Sequence, residues 1–393
     1  MNILFYRYGS ICEEDILKCF IESGHKCITI EDEIRDKSIT GSDTLQLVDK
    51  ALSDGSYDCV FTVNFYPSIS DLCNIYHLRY ICWIVDSPVL ELFSTSIKNP
   101  WNRVFVFDRA QYEDIRAYNP ECIFHYPLAV DTRSKQAVIT SAISDRSADK
   151  YRCDISFVGS LYSEKDPMAH TAGITEYAKG FIDGLCEAQL RVYGYYFAQD
   201  QLNDRVVNEF TSSVKEYYRM KGDNLLSDKV VIGQYYMGNH ITAMERERLI
   251  RLISKDHSID VYTRSNMTSI PKANNRGGCE TLTQMPVIFN QSRININPTS
   301  KAIRTGIPLR VFDIFACEGF ILCNYQQEMC ELFTPGEDFV YYDSMEQVPE
   351  LIEYYLDHNK ERKEIAHNGY MKVREEYSYP LRLNRLLLAA FEK

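Results

Sequence analysis

Two side chains of opposite charge, Arg310 and Asp313, stand three residues apart in NPTSKAIRTGIPLRVFDIFACEGFILCN, residues 297–324. On a helix that spacing puts both on one face. Gly306 and Pro308 precede them where the helix begins, because Pro is tolerated in a first turn and Gly lets other atoms approach the backbone. Gly319 ends the helix, and residues 320–322 open a buried strand. A helix start presents unpaired backbone N–H groups and the positive end of a dipole. An Arg adds a bidentate fork for phosphate. An Asp one turn deeper can accept hydrogen bonds from the two hydroxyls of a ribose. The N–H groups near Thr305 and Gly306, with Arg310 and Asp313, therefore make a seat for a nucleotide diphosphate. The segment also reads as an ordinary helix–strand unit with a surface Arg–Asp pair, and by itself it supports both.

A second loop has related chemistry. The apolar run 154–158 leads into Gly159-Ser160-Leu161-Tyr162-Ser163-Glu164-Lys165. Gly159 lets a ligand approach the backbone closely, and Lys165 can reach a phosphate as a point charge. The loop is neither GxxxxGK[ST] nor GxGxxG, and a surface Lys is its plainer reading. Arg264 and the Arg276-Gly277-Gly278 stretch are weaker candidates for contact with a base or phosphate. In the first half, Gly9 and Ser10 follow the first apolar run, Asn64 and Tyr66 stand in NFYPS, and Asp86 opens DSP. Asp86 ends the run YICWIV and is the candidate general base or acceptor-hydroxyl ligand. A helix N-cap is the plainer reading of Asp-Ser-Pro. Asp108 reads as structural, and His125 as a core or rim residue. No HExxH, paired-His or clustered-Asp pattern suggests a catalytic metal, and no GxSxG elbow is present.

These residues need a scaffold, and 393 residues suffice for two or three domains. Short apolar runs at 3–6, 27–30, 59–63, 80–85, 103–107 and 122–127 alternate with helical patterns such as 13–23, 43–53 and 111–118. That alternation predicts a doubly wound parallel sheet. Residues 131–152 are polar, lack a strong period and read as a linker containing a weak helix. A second series follows, with strands expected at 154–158, 190–193, 230–232, 259–262, 293–297, 320–322 and 339–341. Its helices are expected at 174–189, 201–221, 238–254, 309–317, 345–358 and 361–376. Residues 206–226 read as a long charged helical insertion, and 380–391 as a final amphipathic helix. The expected domains are 1–135, a linker at 136–152, 153–378, and 379–393 returning to the first. Two doubly wound domains create a cleft, and ligands bind beyond the carboxyl ends of such strands.

Composition removes several classes. No apolar run reaches the ~20 residues of a membrane helix, and MNILFYRYGS reads as strand and turn rather than a secretory signal. A net charge of −12 argues against a general nucleic-acid binder. Thirteen scattered cysteines form no CxxC pair, which predicts a reduced cytoplasmic protein with Cys59, Cys82, Cys317 and Cys323 buried as small hydrophobes. The 28 tyrosines fit a wet cleft, and more simply a Tyr-rich interior.

Taken together, ILFYRYGS, VNFYPSIS, YICWIVDSP, VFVFDR, HYPLAVDT, DISFVGSLYSEK, the 296–333 block and YYLDHNKERKEIAHNGYMKVREEYSY span nearly the whole chain. They resemble the CgeB-type, spore-maturation-protein-like glycosyltransferases with their associated N-terminal domain. The resemblance implies a GT-B fold, two Rossmann-like α/β domains facing a cleft, with a last helix crossing back. It implies a C-terminal half that binds a nucleotide-sugar donor and an N-terminal half that binds the acceptor. Lys165 matches the Lys of a GRLxxxKG-like donor loop, while Ser160 stands in place of its Arg. Asp313 falls at the second acid of an E-x7-E motif, whose first acid is absent near Thr305–Gly306, and Arg310 supplies a replacement cation. Domain closure would exclude water. The implied activity is metal-independent hexosyl or N-acetylhexosaminyl transfer from a UDP-sugar to a protein or glycan acceptor. No further cofactor, nucleic acid or stable membrane insertion is expected. An epimerase of the same fold and a non-catalytic carbohydrate-binding surface or spore assembly protein are the rival readings.

Overall fold

The computed structural model describes residues 1–171 and 173–392. They divide into two compact units. The first comprises Met1–Val130, Met220–Leu226 and the residues from Glu376 on; the second comprises Asp131–Arg219 and Ser227–Glu375.

In the first unit the apolar runs become six parallel strands, β1 (Asn2–Tyr6), β2 (Lys26–Ile30), β3 (Cys59–Val63), β4 (Arg79–Ile84), β5 (Asn102–Val106) and β6 (Ile123–His125). Their order is β2-β1-β3-β4-β5-β6. Every residue of β3 is buried, as expected for a parallel strand covered on both faces. Phe61 meets Phe5 and Phe20 edge to face, both at 5.1 Å. The final helix, Tyr379–Phe391, buries Leu383, Leu386, Leu387 and Ala390 in this unit. Tyr126 Oη fastens it by donating to the Arg382 carbonyl at 2.7 Å. The segment Met220–Leu226 pairs with the chain at Phe93–Thr95, through Leu225 N–H to Phe93 O at 2.7 Å and Thr95 N–H to Asp223 O at 3.1 Å.

The second unit has β7 (Cys153–Val158), β8 (Ile259–Tyr262), β9 (Asn274–Gly277), β10 (Ser292–Asn297), β11 (Ile321–Asn324) and β12 (Val340–Tyr342). The order β12-β11-β10-β7-β8-β9 is again wholly parallel. Counted from β7, this is the 3-2-1-4-5-6 order of dinucleotide-binding sheets, whose switch point lies between β7 and β10. In the first sheet the switch lies between β1 and β3.

Several expected elements differ. Residues 190–193 form no strand, because the buried Gln189 amide takes up the Val192 and Tyr195 carbonyls at 3.2 and 2.9 Å in place of a ladder. Residues 230–232 enter a π-helical turn, Val231–Met237, which continues into helix Gly238–Ile253. A short fully apolar run does not distinguish strand from buried helix. Gly233 is required there, since a Cβ would lie 2.6 Å from Gln199 Cβ. The helix expected at 201–221 spans only Asp204–Ser213, capped by Asn203. Strand β9 was invisible because its NNRG sequence has no apolar residue and sits at an exposed edge. The stretch 131–152 is largely helical: Thr132–Ser144 is capped by Asp131, which accepts from Arg133 and Ser134 N–H at 3.0 and 3.1 Å. Its buried face carries Lys135 beside Ile139 and Ala142, which blurs the apolar period. Cys59, Cys82, Cys317 and Cys323 are buried free thiols, as expected. Among the described residues no helix is long and apolar enough to cross a membrane.

Candidate functional site

At the switch point of the second sheet, the chain leaves β10 and reaches helix Leu309–Ala316, with Pro308 as its N-cap. The loop between is pinned along its length. Thr299 N–H donates to Asn324 Oδ1 at 2.6 Å, and Lys301 N–H to Thr242 Oγ1 at 3.0 Å. The Gln326 amide donates to the Ile303 and Gly306 carbonyls at 3.0 and 3.3 Å. Thr305 Oγ1 donates to the buried Glu328 Oε1 at 2.9 Å. A loop held this way meets a ligand without reorganising.

Arg310 and Asp313 are not a surface ion pair. Asp313 is buried, and its Oδ1 lies 3.0 Å from Lys135 Nζ, itself buried on helix Thr132–Ser144. The Arg310 guanidinium lies 5.6 Å from the Phe289 ring centroid and against Met285 Sδ. Among the described residues no carboxylate lies within ion-pair distance of it.

The largest addition to the sequence reading is Arg246, on helix Gly238–Ile253. Its Nη1 donates to the Ser160 carbonyl at 2.6 Å and its Nη2 to the Pro298 carbonyl at 3.0 Å. One guanidinium thus joins the loops that leave β7 and β10. Its Cζ lies 4.6 Å from the Tyr162 ring centroid, and Lys165 Nζ lies 5.3 Å from the same centroid. Burial pulls the Arg246 guanidinium below its usual value, and the nearby Arg310 charge adds in the same direction. The signal was present: Glu245 and Arg246 interrupt the buried stripe that Ile241, Thr242, Leu249 and Ile250 define, and charges on a buried stripe need a specific partner. Glu245 meets buried Lys301 at 3.2 Å and accepts from Tyr193 Oη at 2.8 Å.

The other expected residues fall around this centre. Gly159 N–H continues the sheet by donating to Tyr262 O at 3.0 Å. Ser160 Oγ donates to Glu164 Oε1 at 2.6 Å and accepts from Tyr162 N–H at 2.8 Å. Lys165 is exposed and borders a cavity of about 340 Å³ with Asp166, Tyr218 and Tyr235. Arg264 is exposed and approaches Glu280 at 3.7 Å, whereas Arg276 on the edge strand β9 is fixed at 2.8 Å to Asp260 on the neighbouring β8.

At Asp166, the residue after Lys165, His240 Nδ1 lies 2.7 Å from Oδ2. The Asp166 hydrogen bond raises the His240 pKa against the opposing effect of burial. A raised folded-state value means the pair's stabilisation is fully present below the unfolded value of ~6.5 and is lost as pH rises through the folded one. The stability gap between the wild type and His240→Gln, followed by thermal unfolding, is therefore expected to be widest below pH ~6.5 and to shrink as the pH rises above it. A gap that stays level or grows would contradict the pairing.

In the first unit the switch-point loops also converge. Asn64 has φ +61°, a left-handed conformation that Asn tolerates better than most residues. Its Nδ2 donates to Asp86 Oδ2 at 2.7 Å and lies 3.0 Å from Tyr8 Oη, while its Oδ1 accepts from Val85 N–H at 3.0 Å. Tyr8 Oη itself approaches Asp86 at 3.4 Å. Burial and the Asp86 charge push the Tyr8 hydroxyl far above its usual range, so it remains a donor. Asp86 is exposed and is not the expected helix cap, since the 3-10 helix that follows, Leu90–Phe93, has Val89 at its N-cap. Asp108 is structural, capping Arg109–Ile115 through Ala110 N–H. His125 lies half-buried with its ring 6.1 Å from that of Tyr112. Gly9, at φ +95°, gives its N–H to the buried Glu13 at 2.9 Å, and Ser10 Oγ lies 3.4 Å from Cys12 Sγ. Tyr66 donates weakly to Glu33 at 3.4 Å and sets its ring 6.4 Å from Tyr8. Tyr8 was missed although it stands beside Gly9, two residues past the end of β1.

Residues 246–388 match a family model described as glycosyl transferase-like. The match begins at Arg246 and takes in the pinned loop, Arg310 and Asp313. Sequence comparison with curated proteins finds no match. Among solved structures, a glycosyltransferase from Rickettsia africae is 13% identical with a TM-score of 0.54, covering 99% of this chain and 97% of that one. Anabaena Alr3699/HepE in complex with UDP-glucose is 10% identical, TM-score 0.52, over 99% and 98%. The sucrose-phosphate synthase of Thermosynechococcus elongatus is 10% identical, TM-score 0.56, over 100% and 99%. At such identities the likeness gives the fold: the chain has the GT-B architecture, two six-stranded parallel α/β sheets with the final helix returned to the first unit.

Proposed function

We propose that the protein is a glycosyltransferase that moves a hexosyl or N-acetylhexosaminyl group from a nucleotide-diphosphate sugar, a UDP-sugar, to a protein or glycan acceptor without a metal, as the CgeB-type resemblance implies. The observation that carries this reading is the cationic switch point. Arg246 ties together the loops after β7 and β10, while Arg310 and Lys165 flank it with no carboxylate partner among the described residues. As the bond from anomeric carbon to diphosphate oxygen breaks, negative charge grows on the leaving UDP. Cations already fixed there stabilise that charge without reorganisation. The Asp313 oxygen not engaged by Lys135 accepts from the ribose hydroxyls. Asp86, oriented by Asn64 and Tyr8, takes the acceptor proton if the reaction inverts and orients the acceptor if it retains. The fold shared with the UDP-glucose-bound Anabaena structure supports the choice of UDP.

UDP release from a panel of UDP-sugars, with and without glycan acceptors, tests the reading. One donor should release UDP faster when an acceptor is added, and Asp86→Asn should slow that release by about 100-fold. Interconversion of the nucleotide sugar without UDP release would identify an epimerase instead. Failure of every nucleotide sugar to raise the melting temperature would identify a non-catalytic binding protein.

A further inference from the structure

A cavity of the second unit lies at the opposite end of the strands from the switch point. It has a volume of about 770 Å³ and opens at the amino ends of β7 and β10, beside the start of helix Asn359–Glu376. That is within the ~300–1,000 Å³ range of small-molecule sites. Its charged lining is Arg152, Asp154, Arg293, Glu318, Arg362 and Lys363. Four cations face two acids in a protein whose net charge is −12, so the local charge runs against the global one.

Both acids are already engaged. Asp154 accepts from Arg293 Nη1 at 2.9 Å, and Glu318 lies 2.7 Å from His367. Arg152 pairs with Asp149 at 2.8 Å. Arg362 is different. It is 5% exposed, and among the described residues no carboxylate lies within ion-pair distance of it. Its guanidinium donates to Tyr355 O at 2.8 Å and Asn359 Oδ1 at 2.6 Å, which uses two of its five N–H donors. Lys363 adjoins it, exposed, and among the described residues no carboxylate lies within ion-pair distance of it. A buried cation lacking an anion is costly unless a ligand supplies one.

We propose that this cavity is a second binding site, distinct from the switch point, for a small molecule bearing phosphate. Arg362 grips one phosphate edge through its remaining N–H groups, and Lys363 adds a second charge from the rim. The planar fork of Arg matches phosphate geometry. Nothing in this site depends on the donor reading, so the two stand or fall separately.

Calorimetric titration of pyrophosphate in low-chloride buffer tests it, with the Arg310→Ala protein as the background so that the switch point contributes less. Binding with a Kd of about 1 mM or tighter is expected. Lys363→Glu on the same background leaves the buried Arg362 and the fold intact, and should weaken binding at least about tenfold. Absence of binding, or equal binding with and without Lys363→Glu, would overturn the proposal. So would pyrophosphate binding that requires Arg310.

Discussion

Arg246→Met is expected to cut UDP-sugar turnover about 100-fold while leaving the protein folded. Methionine keeps the unbranched stem and removes the charge. The two hydrogen bonds lost, to Ser160 O and Pro298 O, are charge-assisted. Such bonds contribute ~1.5–3 kcal/mol each. Only about 3 kcal/mol of that, lost from transition-state alignment, gives the 100-fold effect. Global stability should fall less than turnover, because the substitution also removes the cost of desolvating the Arg246 guanidinium. Steady-state kinetics beside urea unfolding separates the two effects. An Arg246→Met protein that turns over at the wild-type rate would show that the two switch-point loops need no tie.

The second large effect concerns Lys135 and Asp313. Their side chains are 9% and 10% exposed and meet at 3.0 Å. Removing one member of a buried pair leaves the other uncompensated, at about 3–5 kcal/mol. Lys135→Met alone should therefore destabilise the fold by about that much in urea unfolding. The double variant Lys135→Met/Asp313→Leu should recover most of the loss, since apolar replacement of both partners is often neutral. A Lys135→Met protein within about 1 kcal/mol of the wild type would contradict a buried pair. The pairing also sets the proposed role of Asp313: with one oxygen held by Lys135, the carboxylate presents the other in a fixed direction.

The contrast between Arg310–Asp313 and Arg246 shows what was legible in the chain. Local spacing placed Pro308 and Leu309 at a helix start and both charges on that helix, and the structure agrees. The partner of Asp313 was not legible, because Lys135 lies 178 residues earlier in a stretch whose buried face is too polar to show a period. Arg246 joins Ser160 and Pro298, three positions whose proximity only the β7–β10 neighbourhood creates. Continuous apolar runs gave eleven of the strands, while the polar edge strand β9 left no trace and two apolar runs, at 190–193 and 230–232, folded otherwise. In the first unit, Asn64 and Asp86 were found as separate loop residues. Their hydrogen bond, and Tyr8 as its third member, depend on β1, β3 and β4 lying side by side.

Whether the β7–β10 switch point holds the diphosphate of a nucleotide, as proposed, is tested most directly by titration calorimetry of UDP into the wild type and Arg310→Ala. Among the described residues Arg310 pairs with no carboxylate, so its removal should leave the fold intact. The wild type is predicted to bind UDP and the variant to bind it at least about tenfold more weakly, the loss of one charge-assisted phosphate contact. Equal affinity in the two proteins, or no UDP binding by the wild type, would contradict it.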